Sequence, residues 1–283
     1  MRDGLFVAGM GYTAFIVAGA AANPNAFMDS HAYWAARLGA PYVVSQVGAR
    51  DAYLYSPAFL EVIWPLKLLP LPAFTVVVEV CSVAALVAQT GPLLGVALLY
   101  PPTYYELLFG NVNFLLALAI VAGFRFPALW STVLLTKVTP GVGLLWFAVR
   151  REWHSLLTAL AATAALACIS FVLSPGQWVA WVAVLAKNAE HQTGLELLGP
   201  LAVRLPVAAA LVAWGARTDR RWTVVAGATL ATPSLSWISA SMLIGVIPLA
   251  RQTSIVGRWI SQTLPMATTA DRESLKADLH STP

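Results

Sequence analysis

Charge is scarce in this chain: Asp, Glu, Lys and Arg make up 11% of its 283 residues, against roughly 25% in an ordinary soluble domain. With 59% hydrophobic residues, that scarcity excludes a soluble fold and predicts a polytopic integral membrane protein. Alternating ten-residue strand patterns are missing, whereas Leu, Ala and Val runs of helical character abound. Backbone polar groups facing lipid must pair within their own segment, so the spans are expected to be helices and the class all-α. The two cysteines, Cys81 and Cys168, fall inside apolar stretches, which argues against a disulfide pair or a thiolate metal site. There is no Walker loop, dinucleotide fingerprint, His-Glu-x-x-His pattern or zinc spacing, so no nucleotide, cofactor or metal is expected. The formal net charge of +4 comes from short Arg clusters between apolar runs, the pattern that orients membrane proteins, and implies no nucleic-acid partner. No internal repeat of the transporter kind is found.

What is present begins with an uncharged run from Gly4 to Met28, long enough for a span of about 20 residues that emerges at Asn23-Pro24-Asn25. It carries no clear cleavage site and is read as a retained anchor. Arg2, Arg150-Arg151, Arg217, Arg220, Arg221, Arg251 and Arg258 are placed on the cytoplasmic side. That leaves the loop 23–56 and the segment 174–197 outside. Trp222 to Ala250 reads as a hairpin bending at Thr232-Pro233-Ser234, and Phe126 to Val149 as another bending at Lys137-Val138-Thr139-Pro140. Between the first loop and Arg125 there are four candidate spans, 57–69, 72–88, 92–102 and 107–124, where an odd number is required. Tyr100-Pro101-Pro102 is the expected site of an interrupted helix. The layout is thus a membrane domain over 1–260 with about eight to ten spans. A disordered cytoplasmic tail follows over 261–283, and both termini face the cytoplasm of a plasma membrane.

Asp29 is the first acid after that uncharged run. A carboxylate at the far interface, partly desolvated, has a raised affinity for a proton and suits a general base acting on a sugar hydroxyl. Around it stand His31, Arg37, Arg50 and Asp51 among Tyr33, Trp34, Tyr42, Tyr53 and Tyr55, which alone also describes a solvated loop with an interfacial aromatic belt. Arg37 and Arg50 are either water-facing charges or contacts for a lipid phosphate. Lys137 lies in an apolar context, where a charge has a functional partner or snorkels to the surface. Glu79, within another apolar helix, reads as paired internally or as lying near an end. Glu106 precedes Gly110-Asn111-Val112-Asn113, whose amides bond either a neighbouring helix or substrate. His191 and Arg204 flank the outer segment as surface charges or site residues. An outward-facing site has no access to cytoplasmic nucleotide sugars, so its donor is expected to be lipid-linked.

Several segments in order carry a resemblance. Asp29-Ser30-His31-Ala32-Tyr33, then Tyr55-Ser56-Pro57-Ala58 running to Pro65-Leu66-Lys67-Leu68-Leu69-Pro70, resembles the opening of the glycosyltransferase 87 family of polyprenol-phosphate-mannose-dependent α-mannosyltransferases. Gly110-Asn111-Val112-Asn113 is similar to that family's Gly-Gln-x-Asn, with Asn111 in place of the glutamine. Lys137-Val138-Thr139-Pro140 and Arg150-Arg151-Glu152-Trp153 are similar to its Lys-x-x-Pro and Arg-Arg-x-Trp. His191-Gln192-Thr193 with Arg204, and Thr232-Pro233-Ser234-Leu235-Ser236-Trp237, resemble its Asn-Gln-Ser…Arg and Ser-Pro-x-Ser-Trp.

The resemblance implies a GT-C-like multi-helix fold and an inverting hexosyl transfer on the outer face, mannose above all. The sugar would pass from a polyprenyl-phosphate donor to a lipid-linked glycan acceptor, with Asp29 as base. Lys137, Arg37, Arg50 and Arg204 would bind the donor phosphate. His31, Tyr55, Asn111, Asn113, His191 and Gln192 would bind substrate, without a metal. The competing class is a non-catalytic membrane carrier, or an inactive partner in lipid-linked glycan assembly.

Overall fold

The computed structural model describes residues 26–190 and 198–253, together with Val7 and Gly11. Among the described residues every regular element is helical, as the all-α reading requires. The helices are α1 Met28–Ala35, α2 Pro57–Ile63, α3 Leu71–Thr90, α4 Leu94–Leu98, α5 Pro101–Phe109, α6 Asn113–Gly123 and α7 Trp130–Thr136. They continue with α8 Leu145–Val149, α9 Trp153–Leu173, α10 Pro175–Glu190, α11 Leu201–Arg217, α12 Trp222–Leu230 and α13 Val246–Thr253. The expected first span, the tail 261–283, and His191 and Gln192 lie outside the described residues.

Proline opens α2, α3 and α5, where its missing N–H costs nothing. At α2, Ser56 adds a cap by accepting the Phe59 N–H at 3.3 Å. A single 3-10 turn joins α3 to α4, so Leu71–Leu98 is one apolar helix of 28 residues. It merges two of the four candidate spans counted from sequence, 72–88 and 92–102, while 57–69 is a short helix followed by a 3-10 turn. Together with α9 it makes two helices long enough to cross a membrane. The pair α5 and α6, bent by 112° at its break, has the length and composition of a third span that is broken or re-entrant. Other apolar segments, Pro127–Thr136, Thr139–Val149 and Ser239–Arg251, are shorter helices. So of the eight to ten expected crossings, two or three are full-length helical spans among the described residues.

The helix is interrupted at Tyr100-Pro101-Pro102 as expected, since α4 ends at Leu98 and α5 starts at Pro101 after an extended Tyr100. A second break follows where Gly110 takes a left-handed conformation, φ 66°, and ends α5. Helices break at both positions where the sequence was read as bending: α7 stops at Thr136, before Lys137, and α12 stops short of Thr232-Pro233-Ser234.

The α6–α7 hairpin gives the fold its two ends. At its turn, Arg221 lies over the Phe124 ring at 5.4 Å. Close by, Arg150 lies over Trp146 at 5.2 Å and donates to Asp219 at 3.0 Å and to the Ala216 carbonyl. The groups around Arg150 and Arg221 therefore meet at one end, beside buried Trp130, Trp146 and Phe147. At the open end Asn113 and Lys137 face each other. The α6 helix rises about 16 Å between the two ends.

Gly110→Ala tests this bend. A Cβ there would stand 2.0 Å from Ser30 Oγ and 3.1 Å from Glu79 Oε1, and the left-handed backbone adds roughly 1–2 kcal/mol. We expect a clear fall in melting temperature in detergent. Gly176→Ala, where a Cβ meets nothing within 4 Å, should melt like the parent. Equal melting of the two variants would show that the bend does not depend on Gly110.

Candidate active site

Asp29 stands in the first turn of α1, and three contacts fix that short helix. The Phe27 N–H donates to the Leu108 carbonyl at 2.7 Å. Ser30 Oγ donates to the Gly110 carbonyl at 2.9 Å, and Trp34 Nε1 to the Leu69 carbonyl at 3.0 Å. Lys67 Nζ also donates to the Ala36 carbonyl, so the Pro65–Pro70 segment acts as a brace for α1. Burial holds the Lys67 ammonium below its usual range, at about 8.

The bend at Gly110 delivers two amides to the same place. Asn111 Oδ1 accepts its neighbour Val112's N–H at 2.7 Å, which turns Nδ2 outward to donate to Asp29 Oδ2 at 2.7 Å. Asp29 Oδ1 has no hydrogen-bond partner among the described residues. Burial raises the Asp29 carboxyl above the usual carboxylate range, while the Asn111 bond and the Lys137 charge pull it partly back. Beside it, the Tyr55 hydroxyl pairs with the Tyr33 hydroxyl at 2.9 Å. Burial, then the Asp29 charge, push the Tyr55 phenol well up, so it stays a neutral donor.

The second amide is set by Glu106, a fully buried acid on α5. Its Oε1 accepts the N–H groups of Asn113 at 2.5 Å and Phe114 at 3.3 Å. Its Oε2 accepts from Asn113 Nδ2 at 2.9 Å and Ser241 Oγ at 2.8 Å. These bonds replace the side-chain cap that α6 lacks. Because a carboxylate only accepts, Asn113 must turn Nδ2 toward Glu106 and Oδ1 away. Lys137 Nζ donates to that Oδ1 at 2.6 Å. Ser56 Oγ, donating to the Leu135 carbonyl, ties the first loop to the same strand of contacts.

Of the residues singled out in the sequence, the fold thus brings together Asp29, Tyr55, Asn111, Asn113 and Lys137. His31 and Arg50 stand next to them along a groove of about 540 Å³ walled by Phe27, Met28, Leu71 and Val76. His31 Nδ1 lies 2.5 Å from Asp51 Oδ1. Arg37 is exposed on the turn after α1, its backbone bridged to Ala40. Arg204 is buried elsewhere. Its guanidinium donates to the carbonyls of Gly199, Leu230, Thr232 and Pro233 at 2.7 to 3.1 Å, closing the end of α12. That clasp steadies the 231–238 loop, whose Ile238 carbonyl receives Asn113 Nδ2 at 3.2 Å. Glu106 and Ser241 were not among the expected site residues. The signal for Glu106 was an acid inside an apolar helix, which is expensive in a membrane and rarely idle; Ser241 had none. Among the described residues no group of three or more His, Cys, Asp or Glu is arranged to hold a metal ion.

Fold and site together define an all-helical membrane protein with an enclosed carboxylate at the edge of an apolar groove. Residues 53–260 match the sequence model of glycosyltransferase family 87, and the chain belongs to that family. The match takes in Asn111, Asn113, Lys137 and Arg204, and begins after Asp29. The chain is also similar, at 26% identity over 235 residues, to a curated protein of Mycobacterium tuberculosis. That relative is named polyprenol-phosphate-mannose-dependent alpha-(1-2)-phosphatidylinositol mannoside mannosyltransferase. The alignment covers 70% of this chain and 54% of the relative, so the chain spans about half the relative's length. No solved structure matches the chain.

Glu106→Gln tests the cap. The amide has nearly the carboxylate's shape but turns an NH2 toward groups that need an acceptor, at a cost of roughly 1–3 kcal/mol for each buried group left unpaired. Chemical denaturation in mild detergent should show the loss. Unchanged stability would remove Glu106 as the cap of α6.

Proposed function

We propose that this chain is a membrane glycosyltransferase that moves a hexose, in the first instance mannose, from a polyprenyl-phosphate donor to a lipid-linked acceptor. The relative's named substrate makes a phosphatidylinositol mannoside the first acceptor to try. The observation that carries the reading is the Asp29 carboxylate, held through Oδ2 by Asn111 with Oδ1 left without a partner among the described residues, beside the groove.

In the proposed reaction Asp29 Oδ1 takes the proton of an acceptor hydroxyl as that oxygen attacks the anomeric carbon. The bond from that carbon to the phosphate oxygen breaks, and its electron pair leaves on the polyprenyl phosphate. Attack opposite the leaving group inverts the anomeric configuration. The Lys137 ammonium, aimed by Asn113, is the group we assign to the developing phosphate charge. Arg50 and His31 lie at the groove as further phosphate or sugar contacts. Arg37 is exposed and Arg204 has its donors on backbone carbonyls, so neither is retained as a phosphate ligand in this proposal. His191 and Gln192 remain proposed substrate contacts.

The arginine clusters and the Asp29 site sit at opposite ends of α6. That separation supports an extracytoplasmic site with the clusters on the cytoplasmic side.

Purified protein in lipid nanodiscs, given labelled polyprenyl-phosphate-mannose and the mannoside acceptor, provides the test. Asp29→Asn should slow transfer by about 10²–10⁴-fold, the usual worth of a general base. Only the deprotonated carboxylate can accept a proton. The rate should therefore fall as pH drops through the raised Asp29 value, at a higher pH than an ordinary carboxylate would show. Equal transfer by Asp29→Asn and the parent would take Asp29 out of the mechanism. Transfer by neither would favour the carrier reading.

A further inference from the structure

Glu79 lies within the long span Leu71–Leu98, and the mechanism above does not use it. A carboxyl there is costly and calls for a partner. Yet its Oε1 is buried with no hydrogen-bond partner among the described residues, even though the other buried site acid, Glu106, is fully satisfied. The environment is arranged around this atom. It stands so close to the bend that a Cβ on Gly110 would lie 3.1 Å away, and Asn111, the next residue, holds Asp29. Glu79 also lines the groove of about 540 Å³ that Phe27, Met28 and His31 share, and these residues flank Asp29 in sequence. Glu79 thus lines the wall of the groove beside the base, with its Oε1 turned to the Gly110 bend and without a donor among the described residues.

We propose that the groove is a sugar subsite and that Glu79 accepts a hydrogen bond from a hydroxyl of the sugar bound there. This rests on the transferase reading. A sugar hydroxyl supplies what the site lacks: a donor small enough to reach between α1 and α3 and uncharged enough to enter an apolar groove. Sites that bind a hydroxyl this way discriminate strongly against the deoxy analogue. The hydroxyl belongs either to the sugar being transferred or to the sugar that receives it, and the two sources are separable by experiment.

The full chain in nanodiscs is compared with Glu79→Gln and Glu79→Leu, using polyprenyl-phosphate-mannose, the mannoside acceptor, and monodeoxy versions of each. Equilibrium binding of labelled polyprenyl-phosphate-mannose and of labelled acceptor is measured alongside, and melting temperatures check folding. Glu79→Leu should raise KM about tenfold or more for one substrate, with kcat changed much less. Glu79→Gln, which keeps an acceptor oxygen, should fall between, and it carries the comparison if the leucine variant does not fold. The penalty should vanish for the one deoxy analogue that lacks the partner hydroxyl. A donor analogue identifies the transferred sugar as the source, and an acceptor analogue the receiving sugar. A KM unchanged on every substrate, or raised equally on all deoxy analogues, overturns the subsite while leaving the transferase reading intact. If the parent binds sugar but does not transfer it, the transferase reading fails on its own; Glu79-dependent binding would then still uphold the subsite, and Glu79-independent binding would overturn it. If the parent binds neither probe, both readings fall.

Discussion

The carboxylate of Glu106 accepts the first N–H groups of α6 and, through Asn113, aims the ammonium of Lys137. A chain that breaks its helix inside an apolar layer exposes polar backbone that lipid cannot satisfy, so such a break survives only where protein groups take over the lost bonds. Here the 112° bend between α5 and α6 is made possible by a glycine in a left-handed conformation and an acid that replaces the missing turn. Everything chemical follows from it. With a straight helix Asn111 would not face Asp29, and Asn113 would not face Lys137.

Two acids of similar chemistry are separated by their surroundings. Glu106 is saturated: four donors surround it and no oxygen is left free for a substrate. Asp29 has one amide on one oxygen, an ammonium at longer range, and a burial that raises its hold on a proton. The first arrangement suits a structural anion and the second a base, the division of labour that environment imposes on paired carboxyls. Glu79 is a third case, an acid whose Oε1 has no partner among the described residues and which we assign to a sugar hydroxyl.

The helical class and the helix breaks at Lys137 and Thr232-Pro233-Ser234 were legible because they depend on composition and on local breakers. Gathering Asp29, Tyr55, Asn111, Asn113 and Lys137 at one site required the ordered motifs, since these residues span more than a hundred positions and no periodicity connects them. The helix break at Tyr100-Pro101-Pro102 was legible because proline stops the preceding helix, but the sharp 112° bend lies at Gly110, whose left-handed conformation no proline announces. Ser241 reaches Glu106 from 135 positions away, a contact that only tertiary packing creates. Arg204 showed a charge near a motif, but nothing local revealed that its donors would end on the carbonyls closing α12.

The most direct test of the central claim, that the bent segment forms the place of sugar transfer, is a cryo-electron microscopy structure with polyprenyl-phosphate-mannose bound. The account predicts the sugar in the groove with its anomeric carbon facing Asp29 Oδ1 and the phosphate against Lys137. A donor seated at the arginine end, by Arg150 and Arg221, would contradict it.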